Sequence, residues 1–327
     1  MRKWVKITIP IVLLVVGAVI CALRWQAWFG IPTEPAWNND TLRYVFPTFA
    51  QDSVPGFEVT PQGWKDNKAP ESLDLLVLGD VHNRLDCTDY NHLAAAVPQA
   101  DAVLQVGDWM DRGQEYYHQL LLREWLPSQL CGLPVINCPG NHEYTKGVNK
   151  TLSPVWSETF QQPDNGPIGV PGKHYYIDFQ NLRLIAIDTN PLTRIMYLTR
   201  TLTWLREAMY TAGDRYVVVI MHHPALSVAK GRVNPQIYSI FRHALGDADL
   251  VIAGHDHSYM RRRQFVVINA AGKPKQQRIH YPTDAIANDP VYGILQCNGL
   301  TGAACLTFNV YRLSDNTLID SYHVTHD

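Results

Sequence analysis

The chain has 327 residues, 46% of them apolar, which is enough for one large globular domain or two small ones. Its formal net charge is −2 at pH 7, so the broad basic surface of a typical nucleic-acid-binding protein is excluded and no nucleic-acid partner is expected. None of the six cysteines forms a Cys-x-x-Cys pair, which excludes zinc ribbons and redox motifs of that type.

The first 29 residues predict a membrane anchor. Three basic residues precede an apolar stretch of 17 residues, Ile7 to Leu23, which is at the lower limit for a spanning helix. The aromatic residues that follow suit the membrane interface. A cleavable signal peptide fits less well because the stretch lacks an Ala-x-Ala pattern. A lipoprotein site at Cys21 is disfavoured because Ile20 stands where Gly or Ala is expected.

The charges around this stretch predict the topology. Three positive charges lie before it and Arg24 lies after it, so the N-terminus is expected in the cytoplasm. The rest of the chain would then face the periplasm, the cell exterior or an organelle lumen. Residues 30–70 contain six prolines and no regular period, which is typical of a stalk. We therefore expect an anchor (1–29), a stalk or lead-in (30–70) and a globular domain (71–327).

In the domain, short apolar runs alternate with helical patterns. Five strands are predicted at Leu73–Leu78, Ala102–Val106, Leu133–Asn137, Tyr216–Met221 and Leu250–Ala253. Helices are predicted near 89–97, 114–126, 200–211 and 234–245. A hairpin is predicted at 174–179 and 182–188, and further strands over the last 35 residues, with turns at Asn298-Gly299 and 314–316. Each of those five strands stops where a polar motif begins. Ligand sites gather beyond the carboxyl ends of such strands, so the motifs are expected to converge.

The five motifs predict a dinuclear metal site. They are Gly-Asp-Val-His at 79–82, Gly-Asp-Trp-Met-Asp-Arg-Gly at 107–113, Gly-Asn-His-Glu at 140–143, His-His-Pro at 222–224 and Gly-His-Asp-His at 254–257. The seven candidate ligands are Asp80, His82, Asp108, Asn141, His222, His255 and His257. This set of carboxylates, imidazoles and one amide fits Mn, Zn or Fe alike. With two divalent ions the core would keep a charge of about +2, which suits an anionic substrate.

Phosphate ester hydrolysis is the chemistry that such a site favours. A hydroxide bridging two ions about 3.5–4 Å apart can attack phosphorus. His142, next to the ligand Asn141, is the candidate general acid for the leaving oxygen, with Asp111 as its orienting partner. Arg112 offers a planar fork for phosphate oxygens. His223 points the other way on its strand and is expected to be packed or solvated rather than to bind metal.

These motifs resemble those of the calcineurin-like metallophosphoesterase superfamily, whose pattern is GDxH, GDxxDRG, GNH(D/E), a single His and GHxH. The resemblance covers roughly residues 73–310. It implies an α/β four-layer sandwich, in which helices flank two mixed β-sheets. It assigns Asp80, His82, Asp108 and His257 to one metal, and Asp108, Asn141, His222 and His255 to the other. Asp108 would bridge the two ions, and His142 and Asp111 take the positions of the catalytic histidine and its partner.

Departures from the superfamily pattern indicate which subfamilies the chain resembles and which it does not. The first three motifs are similar to those of protein phosphatases and dinucleoside-polyphosphate hydrolases, except that Asn83 stands where those enzymes usually have Gly. The stretch from His255 to Arg261 resembles purple-acid-type enzymes. Those enzymes have a Tyr ligand in the second motif and no His in the first. His82 and Asp111 occupy these motifs here, so an iron–tyrosinate site is not expected.

A phosphomonoester is the favoured substrate, because Arg112 and His142 suit a terminal phosphate. The alternative is a phosphodiesterase or pyrophosphatase acting on a nucleotide or lipid-linked substrate, since the anchor places the site near a bilayer. A non-catalytic metal-binding scaffold is the alternative from another class, and it is disfavoured because the chain keeps every ligand and His142. Two local questions stay open: whether Cys297 and Cys305 pair or stay free, and whether the Arg261–Arg263 run binds anions or is a solvated strand edge.

Overall fold

The computed structural model describes residues 44–47, 49–50, 60–61, 72–146, 150–170, 173–179, 181–230, 236–275, 277, 282–298 and 305–326. The predicted anchor, residues 1–29, lies outside these ranges, as does most of the predicted stalk. Within the described ranges, no helix combines the length and the apolar character that crossing a membrane requires.

The strands form two large mixed sheets and one two-stranded pair. In chain order they are β1 Phe49–Ala50, β2 Thr60–Pro61, β3 Ser72–Leu78, β4 Ala102–Gln105, β5 Val135–Asn137, β6 Tyr175–Phe179, β7 Leu182–Ile187, β8 Tyr216–Met221, β9 Leu250–Ala253, β10 Tyr259–Arg262, β11 Phe265–Val267, β12 Ala285–Ala287, β13 Val291–Asn298, β14 Cys305–Arg312 and β15 Leu318–Thr325. One sheet has the order β12-β10-β11-β9-β8-β7-β6, the other β15-β14-β13-β3-β4-β5, and β1 pairs with β2.

Within the described ranges, five α-helices cover the outer faces of the two sheets. They are α1 Cys87–Ala96, α2 Glu115–Trp125, α3 Pro154–Thr159, α4 Ile195–Tyr210 and α5 Gln236–Ala244. One apolar cluster joins the inner faces of both sheets. A second joins α1, α2 and α3 to the sheet that contains β3, and a third joins α4 and α5 to the sheet that contains β8. The helix–sheet–sheet–helix order agrees with the expected four-layer sandwich.

The motif-bearing strands are the parallel ones. In one sheet β3, β4 and β5 are parallel, and in the other β7, β8, β9 and β11 are parallel. These strands are buried along most of their length, which explains their continuous apolar sequences. The five motifs follow β3, β4, β5, β8 and β9, so the carboxyl ends of the two sheets present them side by side.

One helix boundary differs from the sequence expectation, and the open question about the two cysteines is answered. Helix α4 begins at Ile195, five residues before the predicted start near residue 200. Ile195 and Met196 are 73% and 53% exposed, and the buried face of the helix begins at Leu198. Cys297 and Cys305 are free thiols. Cys297 pairs with Leu306 across the β13–β14 ladder, so the two cysteines are one residue out of register and face opposite sides of the sheet.

Candidate metal centre

Backbone hydrogen bonds between the motif loops bring the candidate ligands together. The amide of Asp80 donates to the carbonyl of Gly107 at 3.1 Å, and the amide of His82 donates to the carbonyl of Asp108 at 3.0 Å. In the other sheet the amide of Gly254 donates to the carbonyl of His222 at 3.0 Å. The loops thus extend the strand pairing by one or two residues, and this fixes the spacing of the side chains.

The first cluster contains Asp80, His82, His257 and Asp108. The Nε2 atoms of His82 and His257 lie 3.1 Å apart. Oδ1 of Asp80 lies 3.8 Å from Nε2 of His82 and 3.4 Å from Nε2 of His257. These atoms surround one small volume at the end of β3 and are spaced as ligands of a common ion are.

The second cluster contains Asp108, His222, His255 and Asn141. Nε2 of His222 lies 3.1 Å from Oδ2 of Asp108 and 3.3 Å from Oδ1 of Asn141. His255 turns its Nδ1 towards the same point, 3.2 Å from Nε2 of His222. All seven predicted ligands therefore lie in two adjoining groups, divided as the family resemblance implies.

Asp108 belongs to both clusters through a single oxygen. Its Oδ2 lies 3.7 Å from Nε2 of His82 and 3.1 Å from Nε2 of His222. Its other oxygen, Oδ1, accepts the backbone N–H of His142 at 2.8 Å, which fixes the rotation of the carboxylate. Gly140 passes so close that a Cβ there would collide with this oxygen, which explains the glycine in the third motif.

Two of the imidazole rings are oriented by hydrogen bonds on the side that faces away from the cluster. Nδ1 of His222 donates to the carbonyl of Val106 at 3.0 Å, and Nδ1 of His257 donates to the carbonyl of Lys273 at 2.9 Å. A carbonyl only accepts, so in the neutral form of each ring Nδ1 holds the proton and Nε2 directs its lone pair at the cluster. This is the tautomer that a metal ligand needs.

The buried carboxylates make the cluster electrostatically favourable for added positive charge. Oδ1 of Asp80 is buried and has no hydrogen-bond partner among the described residues. Burial alone would lower the pKa of His222, but the nearby charge of Asp108 raises this pKa to about 9. Burial likewise works to raise the pKa of Asp108, yet the charge of His222 holds it well below its usual value. The residues therefore fit metal ions, which would replace the proton on His222.

Five ligands have an unusual backbone conformation. Their φ angles are positive, between 49° and 71°, and the residues are Asp80, His82, Asp108, His255 and His257. Non-glycine residues rarely adopt this left-handed region, and it carries an energetic cost. Such a cost is maintained at sites where function requires the side-chain direction that it gives.

His142 faces the cluster without joining either group of ligands. Its Nδ1 donates to the backbone carbonyl of Asp111 at 2.5 Å, which leaves Nε2 at 4.0 Å from Oδ2 of Asp108. The orienting partner is therefore the main chain of Asp111 rather than the carboxylate expected from the sequence. Arg112 lies 5.8 Å from the Tyr117 ring centroid, and its charge contributes to lowering the pKa of Lys146, after the larger effect of burial. Its contact with a substrate stays a prediction.

The carboxylate of Asp111 instead faces a metal-ligand candidate. Its Oδ1 lies 3.2 Å from Nδ1 of His82, behind the first cluster. We predict that Asp111→Asn weakens metal retention in that cluster by about 10–100-fold, because a carboxylate behind a ligand histidine orients the ring and raises its basicity. Metal content after dialysis against graded chelator measures this. The exposed Asp315→Asn serves as a matched control. Full metal retention with reduced turnover would instead assign the carboxylate to His142.

Two neighbouring expectations have clear outcomes. His223 is 8% exposed, and its Nδ1 lies 2.6 Å from the hydroxyl of Thr189, so the ring packs beside the site as predicted. The guanidinium of Arg261 is held by the carboxylates of Asp320 and Asp284 at 2.5 and 3.0 Å. This part of the arginine run joins strands and is engaged by acidic side chains.

Two buried carboxylates contribute more than the sequence indicated. Glu143 accepts the backbone N–H groups of Asp108, Met110 and Gly140 at 2.7–3.1 Å, so one side chain ties the second motif to the third. Burial raises its pKa. Asp256, between two ligands, is fully buried and accepts from the Ser227 hydroxyl and two backbone amides of the same loop. The signal for both was a charged residue inside an otherwise metal-binding motif.

Sequence comparisons agree with this geometry. The family model described as calcineurin-like phosphoesterase matches residues 73–259. A glycerophosphodiester phosphodiesterase, GpdQ, of Enterobacter lignolyticus (strain SCF1) is 29% identical over 140 residues, which are 41% of this chain and 46% of that protein. A probable GpdQ of Arcobacter nitrofigilis is 24% identical over 223 residues, 64% of this chain and 76% of that protein. The alignment thus spans less than half the length of the first relative.

Structural comparisons agree on the fold. Purple acid phosphatase PPD1 from yellow lupin (Lupinus luteus) superposes with a TM-score of 0.59 at 12% identity, covering 78% of this chain and 54% of that one. GAP50 of Plasmodium superposes with a TM-score of 0.55 at 14% identity, covering 80% of this chain and 90% of that one. At such identities the similarity concerns the arrangement of sheets and helices.

Proposed function

Since this chain belongs to the calcineurin-like phosphoesterase family, we propose that it is a metal-dependent phosphodiesterase in which His142 acts as the general acid. The observation that carries the proposal is the pair of adjoining clusters that share Oδ2 of Asp108, with Nε2 of His142 4.0 Å from that oxygen. Two bound ions would supply the Lewis acidity that neutralises phosphoryl oxygens and ionises a water.

The remaining steps belong to side chains of this chain. Hydrogen bonding to the carbonyl of Asp111 keeps the proton of His142 on Nδ1 in the neutral ring. In the charged ring, Nε2 therefore carries the proton that passes to the leaving oxygen. The side chain of His142 is 36% exposed, so the spent ring can take up a proton from solvent. Arg112 lies beside Asp111 and would bind a non-bridging oxygen.

A diester is preferred here over the monoester favoured by the sequence. The support is the function of the two relatives, a glycerophosphodiester phosphodiesterase and a probable one. The general acid serves either substrate, because both release an alcohol that must be protonated.

A substrate panel tests this choice. The purified full chain, supplied in turn with Mn, Zn or Fe, is assayed on a glycerophosphodiester, the corresponding glycerol monophosphate, a nucleotide and a pyrophosphate. We expect kcat/KM for the diester to exceed that for the monoester by about tenfold or more, a difference in transition-state free energy of about 1.4 kcal/mol. The reverse ranking would restore the monoesterase, and no turnover with any metal would support the scaffold alternative.

We also propose that residues 1–29 anchor the domain on the non-cytoplasmic side of a membrane. The support is the apolar stretch with its excess of positive charge on the N-terminal side. A reporter that works only outside the cytoplasm is fused after Asp327, and we expect this fusion to show reporter activity. The same fusion without residues 1–29 should be inactive. Activity of a cytoplasm-specific reporter on the full chain would refute the topology.

A further inference from the structure

We propose that the surface at the start of α4 docks on an anionic lipid bilayer. Three apolar side chains on it are strongly exposed: Ile168 (93%), Ile195 (73%) and Met196 (53%). We call these three residues the apolar rim. Single exposed apolar residues are ordinary, but a contiguous group flanked by cations marks an interaction surface.

The rim is one continuous surface although it comes from two segments. Nη1 of Arg200 lies 3.5 and 3.4 Å from the carbonyl oxygens of Ile168 and Gly169. Met196 is one helical turn before Arg200 and therefore on the same side of α4. A cleft of about 440 Å³ between the loop and the helix is lined in part by Pro167, Ile168, Thr199, Thr203 and Trp204. The surface thus offers both projecting apolar groups and an apolar recess.

The charges around the rim are mostly basic, although Glu207 lines the cleft and Asp164 lies on the loop that carries Ile168. Residues 191–206 contain Arg194, Arg200 and Arg206 and no acidic residue. Lys173 lies at the end of the loop that carries Ile168. Exposed apolar side chains among basic ones are the composition that partitions into the interface of a membrane with anionic lipids.

Chain length limits how far the rim can lie from the metal centre. The side-chain amide of Asn190 is 3.2 Å from the carbonyl of Gly140, the residue before the ligand Asn141. Ile195 follows five residues later, so even an extended chain would place their Cα atoms within about 18 Å. On the other segment, the amide of Lys173 lies 3.2 Å from Oδ2 of Asp188. Ile168 precedes Lys173 by five residues, so chain length limits the distance between Ile168 and Asp188 in the same way. Docking would hold the site at the level of the lipid head groups.

A bilayer is the occupant that this chain itself indicates. The sequence carries a 17-residue apolar stretch, Ile7 to Leu23, and so predicts a tether to a membrane. Tethering raises the effective concentration of the bilayer at the rim, so weak contacts suffice for docking. Docking itself does not depend on the metal centre, since the apolar and basic groups bind lipid whether or not the site is active. Only its consequence for substrate access rests on the proposed function.

The first test reads docking directly. A cysteine in place of Ile168, labelled with a polarity-sensitive dye, is compared with one in place of Tyr210, which is 88% exposed at the other end of α4. Full chains are reconstituted in phosphatidylcholine vesicles with and without phosphatidylglycerol, and the unsubstituted chain is labelled in parallel as background. We expect a blue shift at position 168 in the anionic vesicles, and quenching there by doxyl-labelled lipid, but neither at position 210.

Two outcomes would overturn the proposal. Emission at position 168 that stays water-like in anionic vesicles means that the rim does not meet lipid. A blue shift that is independent of anionic lipid and resists lipid quenchers means that another protein, or a second copy of this chain, covers the rim. Both readings are independent of catalysis, so they stand even if the proposed diesterase activity is absent.

A second variant tests the consequence for substrate access. Replacing both Ile195 and Met196 with Glu is expected to lower turnover of a phosphodiester lipid in anionic vesicles by about tenfold, with a soluble diester unaffected. Tyr210→Glu is the matched control for an added charge on α4. Equal rates on vesicles for the double variant and the unsubstituted chain would show that the rim does not deliver lipid substrate. Equal losses on both substrates would point to damage at the metal centre instead.

Discussion

Replacing His142 with Ala is expected to lower kcat by about 10²–10⁴-fold while the metal content stays at two ions per chain. The reason is geometric. His142 directs Nε2 at the cluster from 4.0 Å but contributes no atom to either ligand group, and its other nitrogen is held by the carbonyl of Asp111. Steady-state kinetics together with metal analysis of the same sample measure both quantities.

The identity of the leaving group sharpens this test. A general acid matters most for a poor leaving group such as an alkoxide and least for a nitrophenolate, which departs without a proton. The loss in His142→Ala should therefore be large with glycerol diesters and small with nitrophenyl esters. His92→Ala is the control, because His92 is an exposed histidine bound to Asn316. A loss of metal in His142→Ala would reassign this residue as a ligand.

Replacing Asp108 with Asn is expected to remove both ions and to reduce turnover more than about 10²-fold. Oδ2 serves both clusters, while Oδ1 accepts the N–H of His142. An amide has only one oxygen. If that oxygen faces the ions, the amide NH₂ meets the N–H of His142, and two donors cannot pair. The neutral side chain also removes the negative charge that lies between the two ions.

Asp80→Asn is the matched variant for this prediction. Asp80 is a ligand candidate of the first cluster alone, where its Oδ1 faces His82 and His257, while its Oδ2 accepts the backbone N–H of His255. Its loss should therefore leave about one ion per chain, bound by the second cluster. Metal analysis and calorimetric titration distinguish the two variants. If Asp108→Asn still binds two ions with near-normal affinity, Asp108 does not bridge.

The sequence predicted the strands around the site well. Tyr216–Met221 and Leu250–Ala253 have the same bounds in prediction and structure. Both are apolar runs, rich in β-branched residues, that end at a polar motif, and their parallel pairing buries both faces. The convergence of the seven ligand candidates followed from the same regularity, because strand ends in each sheet meet at one edge.

Features decided by tertiary contacts could not be predicted. The sequence places Asp111 near His142, but only the backbone path decides that the carbonyl faces His142 while the carboxylate faces His82. The sequence analysis considered a strand edge at Arg261–Arg263 but did not give bounds for the short strands β10, β11 and β12. Arg261 is accommodated there by Asp320 and Asp284, which are distant in sequence.

The left-handed backbone at five ligand positions has a consequence for how this protein changes over time. Each such residue costs about 1–3 kcal/mol, so together they are comparable to the net stability of a typical domain. A lineage that lost its need for the ions would be free to relax these loops and would become more heat-resistant as it did so. Heat resistance gained at these positions would therefore be a record of lost catalysis, and thermophilic descendants that remain active must find their extra stability elsewhere in the fold.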